Sequence, residues 1–111
     1  METIVNKENK MESMKDKVII ITGGSGGMGK ACAKKFLEDG SIVYIADINK
    51  DNLKKTVDEL KVLGEIYSVI TDVTKVSDIE NLISTVVKNS GKIDVLVNGA
   101  GVWVEGNTDE M

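Results

Sequence analysis

Four short runs rich in Val and Ile recur along the chain at near-constant spacing, and each is separated from the next by a segment long enough for a helix. The runs are Val18 to Ile21, Ile42 to Ala46, Ile66 to Ile70 and Ile93 to Val97. Apolar runs without alternation read as strands buried on both faces, the usual environment of a parallel sheet. The intervening segments run from about Met28 to Glu38, from about Lys50 to Val62, and through the stretch ended by Gly91. Leu53, Val57 and Leu60 share one face of the second. Ile79, Leu82, Ile83, Val86 and Val87 give the third the three-and-four spacing of a buried stripe. Gly40, Gly64 and Gly91 supply stops, and Ser77 with Glu80 has the spacing of a capping box at the third helix's start. Strand and helix alternating at about 25 residues per step predict a parallel sheet joined by right-handed crossovers. The fold class expected is α/β: four strands in the order 3-2-1-4 with three crossover helices. Ile93 to Val97 is then an edge, yet it is as apolar as a central strand, so something is expected to cover it.

The 111 residues suffice for one small domain, with residues 1–15 expected as a mobile leader and 16–111 as the folded part. No apolar run is long enough to span a membrane and none resembles a signal peptide, so a cytoplasmic, membrane-free protein is expected. Net charge −4, with 14 basic against 18 acidic residues, speaks against a nucleic-acid partner. The chain has no His, no Arg and no Pro, and only one cysteine, Cys32. Histidine-based acid/base catalysis and His or thiolate metal sites are thereby excluded, and no metal-binding residue is assigned.

Directly after the first run comes Thr22-Gly23-Gly24-Ser25-Gly26-Gly27-Met28-Gly29. A glycine-rich turn between strand and helix lets backbone N–H groups approach a pyrophosphate and aims a helix N-terminus at its charge. Five of the eight residues are Gly, so GxGxxG, TGxxGxxG and TGxxxGxG all fit, and the spelling alone does not choose among them. Three further sites fall at the carboxyl ends of the later strands, the edge where open parallel sheets bind ligands: Asp47, Asp72-Val73 and Asn98-Gly99-Ala100-Gly101. Asp47 stands about twenty residues beyond the loop, where a carboxylate accepts hydrogen bonds from ribose hydroxyls and repels a 2′-phosphate. With Ile48 beside it and no Arg in the chain, NAD is expected over NADP, although Lys50 lies close by. Each site also has a plainer reading: Asp47 as a helix-start residue beside Asn49, Asp72 as a loop or cap residue, and Asn98-Gly99 as a turn.

At these residues the sequence resembles the short-chain dehydrogenase/reductase family, in its ordinary rather than extended branch, from about Lys15 onward. The matching stretches are Thr22 to Gly29 in the TGxxxGxG spelling, Asp47, Asp72-Val73, and Ile93 to Gly101, where Gly99 replaces the usual second Asn of NNAG. The resemblance implies a partial Rossmann fold with NAD, less readily NADP, as cofactor. Gly23, Ser25, Gly26, Gly27, Met28 and Gly29 would hold pyrophosphate. Asp47 with Ile48 would hold the adenosine ribose, Asp72 and Val73 the adenine, and Asn98, Ala100 and Gly101 the second ribose. Trp103 would sit toward the substrate side, as a packing or loop residue before a substrate contact. The family interconverts alcohols and carbonyls by hydride transfer, and a complete enzyme of this kind is expected to form a homo-oligomer.

The family's catalytic half has no counterpart here. Its Tyr-x-x-x-Lys pair is absent: the two tyrosines, Tyr44 and Tyr67, are followed four residues later by Ile48 and Thr71. No catalytic residue is carried over, and the chain is expected to be a truncated, catalytically inactive cofactor-binding portion. The alternatives are a non-enzymatic nucleotide-binding or interaction module completed by a partner chain, or another nucleotide user of the same fold such as a methyltransferase.

Overall fold

The structure, a computed structural model, describes residues 14–98. Strands and helices alternate as β1 (Val18–Thr22), α1 (Gly27–Glu38), β2 (Ile42–Asp47), α2 (Lys50–Leu60) with a 3-10 turn (Lys61–Leu63), β3 (Ile66–Ile70), α3 (Val76–Ser90) and β4 (Val95–Asn98). All strand pairs are parallel and the sheet order is β3-β2-β1-β4, the expected order. The chain winds from β1 outward to β3 and then crosses back to β4. Thr22 therefore stands between Ala46 on one side and Asn98 on the other, while Asp47 pairs with Ile70. The register brings the carboxyl ends of all four strands to one edge.

Alternation along β1 and β2 divides the core between two faces. Ile19, Ile21, Val43 and Ile45 meet Ala33 and Leu37 of α1, Leu53 and Leu60 of α2, and Ile66. On the opposite face Val18, Ile20, Tyr44 and Ala46 meet Leu82 and Val86 of α3. Met14 packs against the first cluster and its carbonyl accepts the Ser41 hydroxyl, whereas residues 1–13 of the expected leader lie outside the described residues.

Four expectations are corrected. The third helix's stripe is wider than its contact: only Leu82 and Val86 are buried, while Ile79, Ile83 and Val87 stay exposed, the first two beside Leu96 of β4. Likewise β1 and most of β2 are buried on both faces, but β4 leaves the face of Leu96 and Asn98 open, and β3 is exposed on both faces at Tyr67, Ser68 and Ile70. The capping box is also not formed. Lys75, not Ser77, is the N-cap residue, and it makes no side-chain cap. The preceding turn sets the start instead, since Asp72 binds the Thr74 N–H and hydroxyl while Asp78 accepts the Asp72 N–H at 2.9 Å. The stop at Gly91 is as expected, with φ 80° and its N–H donated to Val87. The fourth strand begins at Val95 rather than Ile93; ahead of it, the Asp94 carboxylate accepts the Val18 N–H at 2.8 Å and so extends the β1 edge.

Candidate functional site

The loop between β1 and α1 is fixed by its own backbone before any ligand is considered. Gly23 and Gly24 both donate to the Ala46 carbonyl, at 2.7 and 3.2 Å, and Gly26 donates back to Gly23. Gly23 has φ 71°, a left-handed conformation that a side chain would strain. A Cβ on Gly29 would overlap the Gly23 carbonyl and stand 2.8 Å from the Gly24 Cα, and one on Gly24 would meet Ile45 at 2.5 Å. These three glycines serve the fold. Gly26 and Gly27 differ, because a Cβ on Gly26 meets nothing nearer than 3.5 Å and one on Gly27 meets nothing within 4 Å. Their openness lies at the start of α1, where Gly26 is the N-cap and offers no side chain to the first-turn N–H groups. That first turn also holds no acidic residue, unlike α2 with Asp51 and α3 with Asp78. An uncapped helix start with room in front of it suits an anion.

Across the loop, the end of β2 closes the site. Asp47 Oδ2 accepts the Ser25 hydroxyl at 2.5 Å and the Ser25 N–H at 3.3 Å, while Oδ1 accepts the N–H groups of Ile48 and Asn49 at 2.7 and 3.3 Å. Partial burial pushes the carboxyl up, but these bonds outweigh it and hold it below its ordinary value. Asp47 is therefore an anion at neutral pH. Its plainer reading as a helix-start residue belongs to Asn49 instead, whose side chain caps α2 by accepting the Asn52 N–H at 2.9 Å.

Gly23, Ala46, Asp47, Ile48, Thr71, Asp72 and Val73 line one cleft of about 200 Å³ at the carboxyl edge of the sheet. Val73 also borders a second, more apolar cleft of about 220 Å³, shared with Thr22, Leu96 and Asn98. Asp72 turns its carboxylate to Thr74, whose hydroxyl and N–H hold it below its ordinary pKa, so its side chain builds the loop that carries Val73. Thr22 donates its hydroxyl to Asn98 Oδ1 at 3.2 Å, tying β1 to the end of β4. A larger cleft of about 320 Å³ lies between α2 and β3, away from the glycine loop and lined partly by Lys50 and Lys54. Of the expected site residues, Ala100, Gly101 and also Trp103 lie outside the described residues. The arrangement of Ser25 against Asp47 was not anticipated from sequence, because adjacent strand ends bring together residues that no linear motif connects.

Neither tyrosine is set up for acid/base work. Tyr44 is buried, with its hydroxyl 2.6 Å from Ser90. Tyr67 donates to the Glu65 carboxylate, and this bond, with slight burial, pushes its phenol up to about 12. That direction is opposite to the lowering a proton-transferring phenol needs at neutral pH. Among the described residues, no group of three or more His, Cys, Asp or Glu could hold a metal ion, and no helix is long and apolar enough to cross a membrane.

The chain is similar to proteins of known sequence and structure. A short-chain dehydrogenase/reductase of Gibberella zeae, dpfgG, is 38% identical over 95 residues, covering 86% of this chain and 35% of the relative. The structure of an NAD+-bound xylitol dehydrogenase superposes with TM-score 0.73 at 31% identity, over 75% of this chain and 32% of that one. A short-chain dehydrogenase/reductase from Burkholderia phymatum in complex with NAD gives TM-score 0.72 at 32% identity, over 75% and 30%. The chain thus spans about a third of the length of the proteins it matches. The family model for short chain dehydrogenases matches residues 17–111, so the chain belongs to the short-chain dehydrogenase family.

Proposed function

We propose that the chain forms the dinucleotide-binding portion of an NAD-dependent oxidoreductase acting on an alcohol or a carbonyl compound. The observation that carries this reading is the convergence of Gly23, Asp47, Ile48, Asp72 and Val73 on one cleft beside the uncapped start of α1. The residues present fit the cofactor. Gly26 and Gly27 leave open space where a pyrophosphate would approach the N–H groups of Gly27, Met28 and Gly29. Asp47, an anion at the end of β2, suits a ribose diol and repels a 2′-phosphate. Ile48 and Val73 offer apolar walls to an adenine, while Asn98, with Ala100 and Gly101, is assigned to the second ribose. When bound, NAD supplies the nicotinamide that accepts or donates hydride. This chain's part is to bind and orient it. Neither Tyr44 nor Tyr67 is placed to move the proton, so the chain alone is expected to turn over no substrate.

Calorimetric titration tests the reading. NAD is expected to bind the 111-residue chain more tightly than NADP, and Asp47→Ala is expected to weaken NAD by about tenfold or more and to narrow the preference. Equal affinity for the two cofactors in the unsubstituted chain would overturn the NAD assignment. A second reading, a nucleotide-binding module completed by a partner chain, draws on the exposure of Ile79, Ile83 and Leu96 around one cleft at the β4 edge. Sedimentation tests it: a stable, soluble homodimer or heteromer that binds NAD supports the module, and a poorly folded or aggregating chain speaks against it.

A further inference from the structure

Asp47 meets the proposed cofactor with none of its oxygen lone pairs idle. A carboxylate offers about four acceptor positions. Ser25 takes two of them at Oδ2, through its hydroxyl and its N–H, and Ile48 and Asn49 take two at Oδ1. The three N–H donors are backbone groups of the loop and of the turn into α2, so they leave only if the backbone moves. The Ser25 hydroxyl is different. Rotation about one side-chain bond removes it, and it is a neutral O–H donor to a carboxylate, the same chemistry a ribose hydroxyl brings.

We propose that the Ser25 hydroxyl is an internal stand-in for a ribose hydroxyl: it occupies Asp47 in the free chain and is displaced by the diol of an adenosine ribose. The inference builds on the cofactor reading above and assigns Ser25 a part in how tightly the ribose is held. Displacement needs an incoming donor. A 2′-hydroxyl has one, whereas a 2′-phosphate ester ionised at neutral pH brings acceptors and negative charge instead. Ser25 therefore lowers the affinity for any ribose diol by the strength of the bond that must be exchanged.

The test uses the 111-residue chain, its Ser25→Ala and Ser25→Thr variants, and adenosine as probe, since adenosine carries the diol without phosphates that a released serine could bind. In the absence of ligand, the Asp47 carboxyl followed by NMR is expected to titrate at higher pH in Ser25→Ala and near its original position in Ser25→Thr, which keeps the hydroxyl. Adenosine is expected to bind Ser25→Ala about fivefold more tightly than the original chain, with no gain for 2′,3′-dideoxyadenosine. An unchanged Asp47 titration in Ser25→Ala overturns the occupied carboxylate itself. A shifted titration with equal or weaker adenosine binding overturns the exchange while leaving the cofactor reading standing. A shifted titration in a chain that binds neither adenosine nor NAD instead overturns the cofactor reading, and the role assigned to Ser25 falls with it.

Discussion

Five glycines in eight residues look interchangeable in the sequence, and the surroundings of each separate them into two groups. Gly29 and Gly24 are required by close contacts and Gly23 by its positive φ, so these three belong to folding. Gly29→Ala is expected to destabilise the chain by roughly 1–3 kcal/mol, because the Gly23 carbonyl it would strike is held by the same loop. Gly27 opens the helix with free space where a Cβ would stand. Gly27→Ala should leave stability unchanged or raise it by up to about 1 kcal/mol, through a less flexible unfolded chain, while weakening NAD binding about tenfold or more. Urea denaturation and calorimetry on the two variants check this. A large stability loss in Gly27→Ala, or unimpaired NAD binding, would contradict the division. The sequence showed that glycines were needed here; it did not show which served the fold, because that depends on Ile45 and Ala46 of the neighbouring strand.

At the scale of elements, periodicity was a good guide to what forms and a poorer guide to where it starts. The Val and Ile runs located all four strands, and the parallel order followed from their alternation with helices. The start of α3 was misread because Ser77 and Glu80 satisfy a local rule, while the chain uses Asp72, Thr74 and Asp78 to shape the turn. The two accounts differ in a measurable way. Asp78→Ala is expected to cost about 1 kcal/mol, removing both an acceptor for the Asp72 N–H and a negative charge from the first turn of α3. Ser77→Ala should stay within about 0.5 kcal/mol of the original chain. The reverse ranking in denaturant would restore the capping box. The exposure of Ile79, Ile83 and Val87 was not legible either, because a helical stripe records what a helix is built to bury without naming its partner.

Over the whole molecule, carboxylates at both ends of the sheet make stability depend on pH, Asp47 and Asp72 at the binding edge and Asp94 at the opposite one. Asp47, Asp72 and Asp94 all lie below their ordinary pKa in the folded chain. For Asp47 and Asp94 hydrogen bonds outweigh the upward push of burial, and for Asp72 the Thr74 bonds dominate. A lowered folded pKa contributes stability that is present above the unfolded value, near pH 4, and is lost as pH falls through the folded value. The urea midpoint is therefore expected to change little from pH 7 to about 5 and to fall below about pH 4, less steeply in Asp94→Asn. A midpoint that holds to pH 3 would contradict these assignments.

In the proposed function this sheet edge binds a nicotinamide dinucleotide, with Asp47 and the start of α1 as the two ends of the site. NMR of the isotope-labelled chain titrated with NAD reports on that placement residue by residue. The backbone amides of Gly26, Gly27, Met28, Ile48 and Val73 are expected to shift together and saturate together. Saturable binding that left these amides unmoved, or shifted only residues of the cleft between α2 and β3, would contradict the account.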